Sequence, residues 1–175
     1  MIITEHIIRD IVAQIPTIDL NANNLAVSTK FGWGDKYELN RYLEVKKTDS
    51  YPLVWLLPSE EKHIDNGLLC ERPCTLIIAM LETKADLFND ERYLKSYELV
   101  LNPLTNYLVG GLRNSNVTEL VNDDWQIFKR PNYSESKYGK PEETVNATID
   151  LWDAVELNCT IQFNTETLKT IIWQS

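Results

Sequence analysis

Histidine is nearly missing from this chain of 175 residues, which holds only His6 and His63. They lie far apart in sequence, and neither has a Ser or Cys beside it, which removes the usual base from most nucleophilic schemes. Cysteine is scarce as well: Cys70, Cys74 and Cys159 are the only three. An odd, irregular set is not a disulfide framework. No Cys-His pair follows "CERPC" to complete a zinc site, so reduced thiols, no metal and no cofactor are expected. Glycine is limited to six residues, and there is no G-x-S-x-G, Walker loop or G-x-G-x-x-G. "FGWGDK" has two glycines but lacks the third, and reads as a tight turn. Positive charge is in deficit, with 17 Lys and Arg against 26 Asp and Glu, a net charge of −9. A surface of that sign repels a polyanion rather than gripping it. No apolar run approaches the roughly 18 residues that would span a bilayer. The opening "MIITEHIIRDIVAQIP" has acidic residues inside its apolar stretch and neither a basic leader nor a small-residue cleavage site. No membrane association is expected, and assembly in a cytosol is.

Hydrophobic residues make up 43% of the chain, enough for the core of one domain over residues 1–175. Ile7, Ile8, Ile11, Val12 and Ile15 recur on one helical face, with Thr4 as a cap and Pro16 as a stop. Leu25, Val27, Thr29 and Phe31 alternate with Ala26, Ser28 and Lys30, as in a half-buried strand. "DKYELNRYLEVK" fits a short helix capped by Asp35 with Leu39, Tyr42 and Leu43 inward, and fits a second hairpin strand equally well by its alternation. "YPLVWLLP" reads as a strand whose Pro52 suggests an edge or a first residue. "CTLIIAMLETK" is apolar on both faces from Leu76 to Leu81 and reads as the central strand. The polar segment at about 58–73 between them reads as a projecting loop.

Leu94, Tyr97, Leu101, Leu104, Leu108 and Leu112 fall at threes and fours, predicting a helix over about 90–112. Pro103 is expected to kink or split it, and Gly110 and Gly111 to weaken its end. "DDWQIFKRPNY" reads as a strand, and 134–146 as a polar loop. In "TIDLWDAVELNCTIQF", Leu151, Asp153, Val155, Leu157, Cys159 and Ile161 share one side, while Trp152, Ala154, Glu156, Asn158, Thr160 and Gln162 share the other. One dry and one wet face indicate an antiparallel sheet packed under helices. The fold class is therefore a single α+β domain, mostly antiparallel, with an N-terminal helix and one long central helix on one face.

Five Trp and eight Tyr are many for this length. Such rings sit in cores, at core rims or at subunit contacts. Trp33, Tyr51, Trp55 and Trp152 are candidate contact residues. So are Ile171, Ile172 and Trp173 in an apolar tail at about 165–175, where uncovered apolar residues need a partner. Acid pairs at 60–61, 123–124 and 142–143 could in principle divide acid and base roles, but they lie in polar turns that read as solvated. Four Asn-x-Ser/Thr matches, at Asn116, Asn132, Asn146 and Asn158, carry no weight without a secretory signal.

The order of pieces resembles the tail-terminator and tail-completion proteins of tailed bacteriophages. It is carried by "EHIIRDIVAQI", "FGWGDKYELN" followed by "YPLVWLLP", "CTLIIAML", "YLKSYELVLNPLTNYL" and "LWDAVELNCTIQF". The echoes "FGWG…ELN…YPLVWL" and "LWDAVELNCTI" resemble neck and tail proteins of Bacteroides-type viruses, including the crAss-like group. The likeness spans most of the chain on short motifs. It implies a small α+β virion protein without catalytic residues, which forms a homo-oligomeric ring beside portal, neck or tail proteins and lets DNA pass without specific binding. The strands around Tyr51–Leu57 and Trp152–Phe163 would then be candidates for pairing with neighbouring copies. The 58–73 segment and the tail have no counterpart in that pattern. Two other readings stand beside it: a small intracellular module that binds protein through an aromatic patch, and a hydrolase or nucleotidyl enzyme using the acid pairs.

Overall fold

The most apolar stretch of the sequence lies in the middle of the sheet. The computed structural model of the chain describes residues 3–19, 26–44, 51–82, 89–131, 133 and 151–165. The elements are α1 (Thr4–Val12), β1 (Ile18–Asp19), β2 (Ala26–Val27), β3 (Lys30–Trp33), α2 (Lys36–Glu44), β4 (Leu53–Leu56), β5 (Lys62–Ile64) and β6 (Leu69–Glu82). A helix follows as α3 (Asn89–Arg92), a π segment (Tyr93–Leu101) and α4 (Asn102–Asn114), and β7 (Thr118–Arg130) and β8 (Leu151–Asn164) complete the chain. The strands run in the order β3-β4-β6-β8-β7, with β5 added to the first part of β6. This is the expected α+β domain. Its sheet is mixed rather than purely antiparallel, because β3 runs parallel to β4.

β6 and β8 form the spine, paired antiparallel from Leu69↔Asn164 to Glu82↔Leu151. Alternation then sorts their side chains onto two faces. On one face Leu76, Ile78, Val155, Leu157 and Ile161 meet Ile7, Ile8 and Ile11 of α1 and Leu101, Leu104 and Leu108 of the long helix. The other face, expected to be wet, is wet only in part. Leu53, Trp55, Ile77, Ala79, Trp152 and Ala154 make a second cluster there with Tyr51 and with Leu39 of α2. Beyond that cluster the face turns polar. Thr75 donates to Asn158 at 2.7 Å, Asn158 donates to Glu156 at 3.1 Å, and Arg130 lies 3.4 Å from Glu156.

The long helix does not break at Pro103. The proline stands at the start of α4, where the change from wide to ordinary turns leaves its missing N–H without consequence. Arg92, Ser96, Val100, Leu104 and Leu108 are all buried, a run at strict intervals of four. An α-helix of about 3.6 residues per turn would rotate such a run off the face, whereas the wider i→i+5 turns of the π segment keep it in phase. The same shift turns Leu94, expected inward, outward to 54% exposure. The end of α4 is closed by Thr118, whose hydroxyl donates to the Leu112 carbonyl at 2.7 Å, and by Ser115 Oγ, which accepts the Thr118 N–H at 2.9 Å.

Three further expectations change. Thr4 is not the cap of α1: it is the first helical residue, after Ile3, and its hydroxyl donates to Glu61 at 3.0 Å. The half-buried strand of residues 25–31 is split into β2, which pairs with β1, and β3, which joins the main sheet. The 58–73 segment is not a projecting loop but a hairpin, β5 turning through Asp65–Gly67 into β6. One of its charges, Arg72, faces inward, because acidic and hydroxyl partners meet it there. Buried Arg72 reaches Glu5 at 2.8 Å, Glu61 at 3.0 Å and Ser59 at 2.9 Å, which ties the hairpin to α1. The three cysteines are free and buried. Burial pushes the Cys159 thiol up to about 12. It raises Cys74 too, helped by neighbouring Cys159, and raises Cys70 with help from the Glu61 charge.

Candidate assembly surface

The Gly-Trp-Gly turn is shaped by a tryptophan from the next strand. Parallel pairing sets Gly32 beside Trp55, and a Cβ on Gly32 would stand 2.5 Å from Trp55 Cζ3. Glycine is therefore required for the indole to lie across β3. The indole N–H donates to the Gly34 carbonyl at 2.9 Å, and Gly34 takes φ +144, a conformation that side chains disfavour. Directly after it, Asp35 and Glu38 form a reciprocal capping box. Glu38 N–H donates to Asp35 at 2.7 Å and Asp35 N–H to Glu38 at 2.9 Å. That box makes residues 36–44 a helix rather than a hairpin strand, with Leu39 buried.

Because successive side chains of a strand alternate, seating Trp55 over Gly32 places Trp33 on the opposite face at the outer side of the sheet. Trp33 is 51% exposed, with Phe31 the ring beside it at 6.0 Å between centroids. Gly32→Ala is expected to destabilise the chain by about 1–3 kcal/mol, the range for overpacking a filled site. Chemical denaturation followed by tryptophan fluorescence measures it, and an unchanged midpoint would mean that Trp55 does not rest on Gly32.

Of the other candidate contact residues, Tyr51, Trp55 and Trp152 are 2%, 5% and 1% exposed. They form the second core cluster of this same chain, so their rings are not available to a neighbour, which corrects the expectation drawn from aromatic content. Ile171, Ile172 and Trp173 lie outside the described residues, as do Glu142 and Glu143. Nor are the strands around Tyr51–Leu57 and Trp152–Phe163 open edges. β4 is flanked by β3 and β6, and β8 by β6 and β7. Pro52 fits β4 as the residue just before its start.

The ends of the main strand order are β3 and β7, and the short β5 is a further edge along β6; among the described residues, no strand pairs with the outer side of any of the three. β7 is interrupted where pairing passes from Leu120↔Ile161 to Trp125↔Cys159. Asn122 and Asp123 take positive φ of 58 and 51 in this bulge. Asp123 is pinned by Arg113 at 2.7 Å on the surface, so the expected acid pair at 123–124 is a bulge tip. The remaining edge, Trp125–Arg130, carries Ile127 at 43% and Phe128 at 41% exposure. The motif "QIFK" held the clue that the aromatic count did not. Adjacent large apolar residues in a strand point to opposite faces, and on an outermost strand neither face need be covered. Lys129 sits 4.2 Å over the Tyr93 ring and Arg130 5.3 Å over Phe128, cations that blunt an open edge against indiscriminate pairing. No helix among the described residues is long and apolar enough to cross a membrane. Comparison with protein-family models gives no match, and comparison with curated proteins gives none.

Proposed function

We propose that this chain is a structural, non-catalytic subunit that closes into a ring, in the manner of the neck and tail rings of tailed bacteriophages. One observation carries the reading: among the described residues the sheet is open at both ends, and the large apolar strand residues exposed to solvent there, Trp33, Ile127 and Phe128, stand on those two edge strands. Two different open edges on one sheet suit a heterologous contact, in which β7 of one copy meets β3 of the next. Such head-to-tail addition closes into a ring when its rotation permits. Pairing would satisfy the outer N–H and C=O groups of both strands. A net charge of −9 suits a passage through which DNA moves without being held. The neighbours would be portal, neck or tail proteins, and the place the virion, after assembly in a host cytoplasm.

The mass in solution and the particle outline under electron microscopy test this, with a closed ring of identical subunits expected. Ile127→Lys combined with Phe128→Glu should weaken the contact at least tenfold, about 1.4 kcal/mol. The melting temperature of the monomer should hardly move, because exposed positions tolerate substitution within about 0.5 kcal/mol. A wild-type chain that stays monomeric at high concentration would exclude the ring, and would favour a module that binds other proteins through the same apolar edge.

A further inference from the structure

The hairpin found in place of the expected loop brings together three side chains that a projecting loop would leave apart. His63 and Cys70 stand directly opposite each other across β5 and β6, so both side chains leave the sheet on the same face. Glu61, two residues before His63, shares that face. The Cys70 sulfur, an imidazole nitrogen of His63 and a carboxylate oxygen of Glu61 all lie within 4.8 Å of one another, and His63 Nε2 is 3.9 Å from Glu61 Oε2. We propose that Glu61, His63 and Cys70 bind one zinc-type divalent cation, three protein ligands with the fourth position left to water.

The donor set selects the metal. A thiolate, an imidazole and a carboxylate suit a borderline-soft cation such as Zn²⁺, while Mg²⁺ and Ca²⁺ ask for oxygen alone. Zinc bonds of about 2.0 Å to nitrogen and 2.3 Å to sulfur set tetrahedral donors about 3.5 Å apart. The separations here, up to 4.8 Å, must therefore tighten by about 1 Å to meet those bond lengths. Cys70 is fixed in the core, and the longer, partly exposed side chains of His63 and Glu61 can close on it. Their exposure also gives the ion a way in and the fourth ligand a place.

The surroundings are already arranged for a carboxylate ligand. Glu61 Oε1 accepts from Arg72 and from Thr4, each at 3.0 Å, which leaves Oε2 turned toward His63. Outer partners of this kind orient ligands and support affinity. With Cys70 as thiolate, Glu5, Glu61 and Arg72 leave two negative charges in excess around the site, which a single divalent cation neutralises. The ion would clamp the β5–β6 hairpin beneath α1. This inference stands apart from the ring reading, since a metal-clamped hairpin fits a monomer as well as a ring subunit.

Co²⁺ titration of the chelator-stripped full chain tests it. One equivalent should produce a thiolate-to-cobalt charge-transfer band with tetrahedral visible bands, both displaced by Zn²⁺. Cys70→Ser should remove the charge-transfer band, and His63→Ala should weaken Zn²⁺ binding at least tenfold. Zn²⁺ should raise the melting temperature of the wild type and not that of His63→Ala. His63 is exposed, so that variant keeps the fold and decides between the outcomes even if Cys70→Ser does not fold. Absence of cobalt binding at excess metal, or binding of equal strength in His63→Ala, overturns the site.

Discussion

Trp152→Ala is expected to remove about 3–5 kcal/mol from the stability of the chain, the range for truncating a buried aromatic to alanine. The indole is 1% exposed at the start of β8. It stacks edge-on against Tyr133 at 5.0 Å, stands opposite Leu81 in the sheet, and fills the second cluster with Trp55, Tyr51 and Ile77. Few neighbours can collapse into the gap, because β6 and β8 are locked in register along their whole length and cannot slide inward there. Domains of this size hold about 5–15 kcal/mol in total, so the loss is a large fraction of what keeps the fold. Urea titration followed by circular dichroism reads it. The control is Trp33→Ala, which should leave the urea midpoint in place and alter only association. If instead Trp152→Ala dissociates an assembly at an unchanged midpoint, its ring is a contact and not core.

The contrast between Trp152 and Trp33 marks where the sequence is legible. Patterns that a single element carries could be read directly: the one-sided apolar face of α1, the doubly apolar Leu76–Leu81 at the centre of the sheet, and the helical threes and fours around Leu101–Leu112. What depended on a partner far along the chain could not. Which tryptophan is sealed depends on register, since Trp55 is buried because Gly32 lies beside it in β3 and Trp33 is open because it must then face the other way. The 58–73 segment reads as a solvated loop because Glu61, His63 and Arg72 are polar. Arg72 enters the interior because Glu5 of α1, together with Glu61 and Ser59, meets it there. The Asp35–Glu38 box that settled α2 was local and visible in the sequence, but alternation of Tyr37, Leu39, Arg41 and Leu43 competed with it. The outer edges fell on β3 and β7 because strand order is a property of the whole sheet; the prolines flanking "YPLVWLLP" report only where β4 begins and ends.

One charged residue stands on the dry side of its strand. Asp153 shares a face with Val155 and Leu157, and its side chain is 0% exposed, with the 6% exposed Arg92 at 3.4 Å from Nε to Oδ2. The arginine reaches it from the start of the long helix, where the wide turns set Arg92 above the sheet. Removing one member of a buried ion pair leaves the other charged in a low-dielectric site, at a cost of about 3–5 kcal/mol. Asp153→Ala should therefore destabilise by about that much, and Arg92→Ala should do so similarly. The pair itself contributes little net stability, since desolvating both charges offsets most of their attraction. Asp153→Leu combined with Arg92→Met should accordingly cost less than either alanine variant alone, and a denaturation double-mutant cycle should show strong coupling. Additive costs would mean that the two side chains do not act on each other. Coupling would establish that the first turns of the long helix are held to β8 by charge, on a face where apolar packing does the rest.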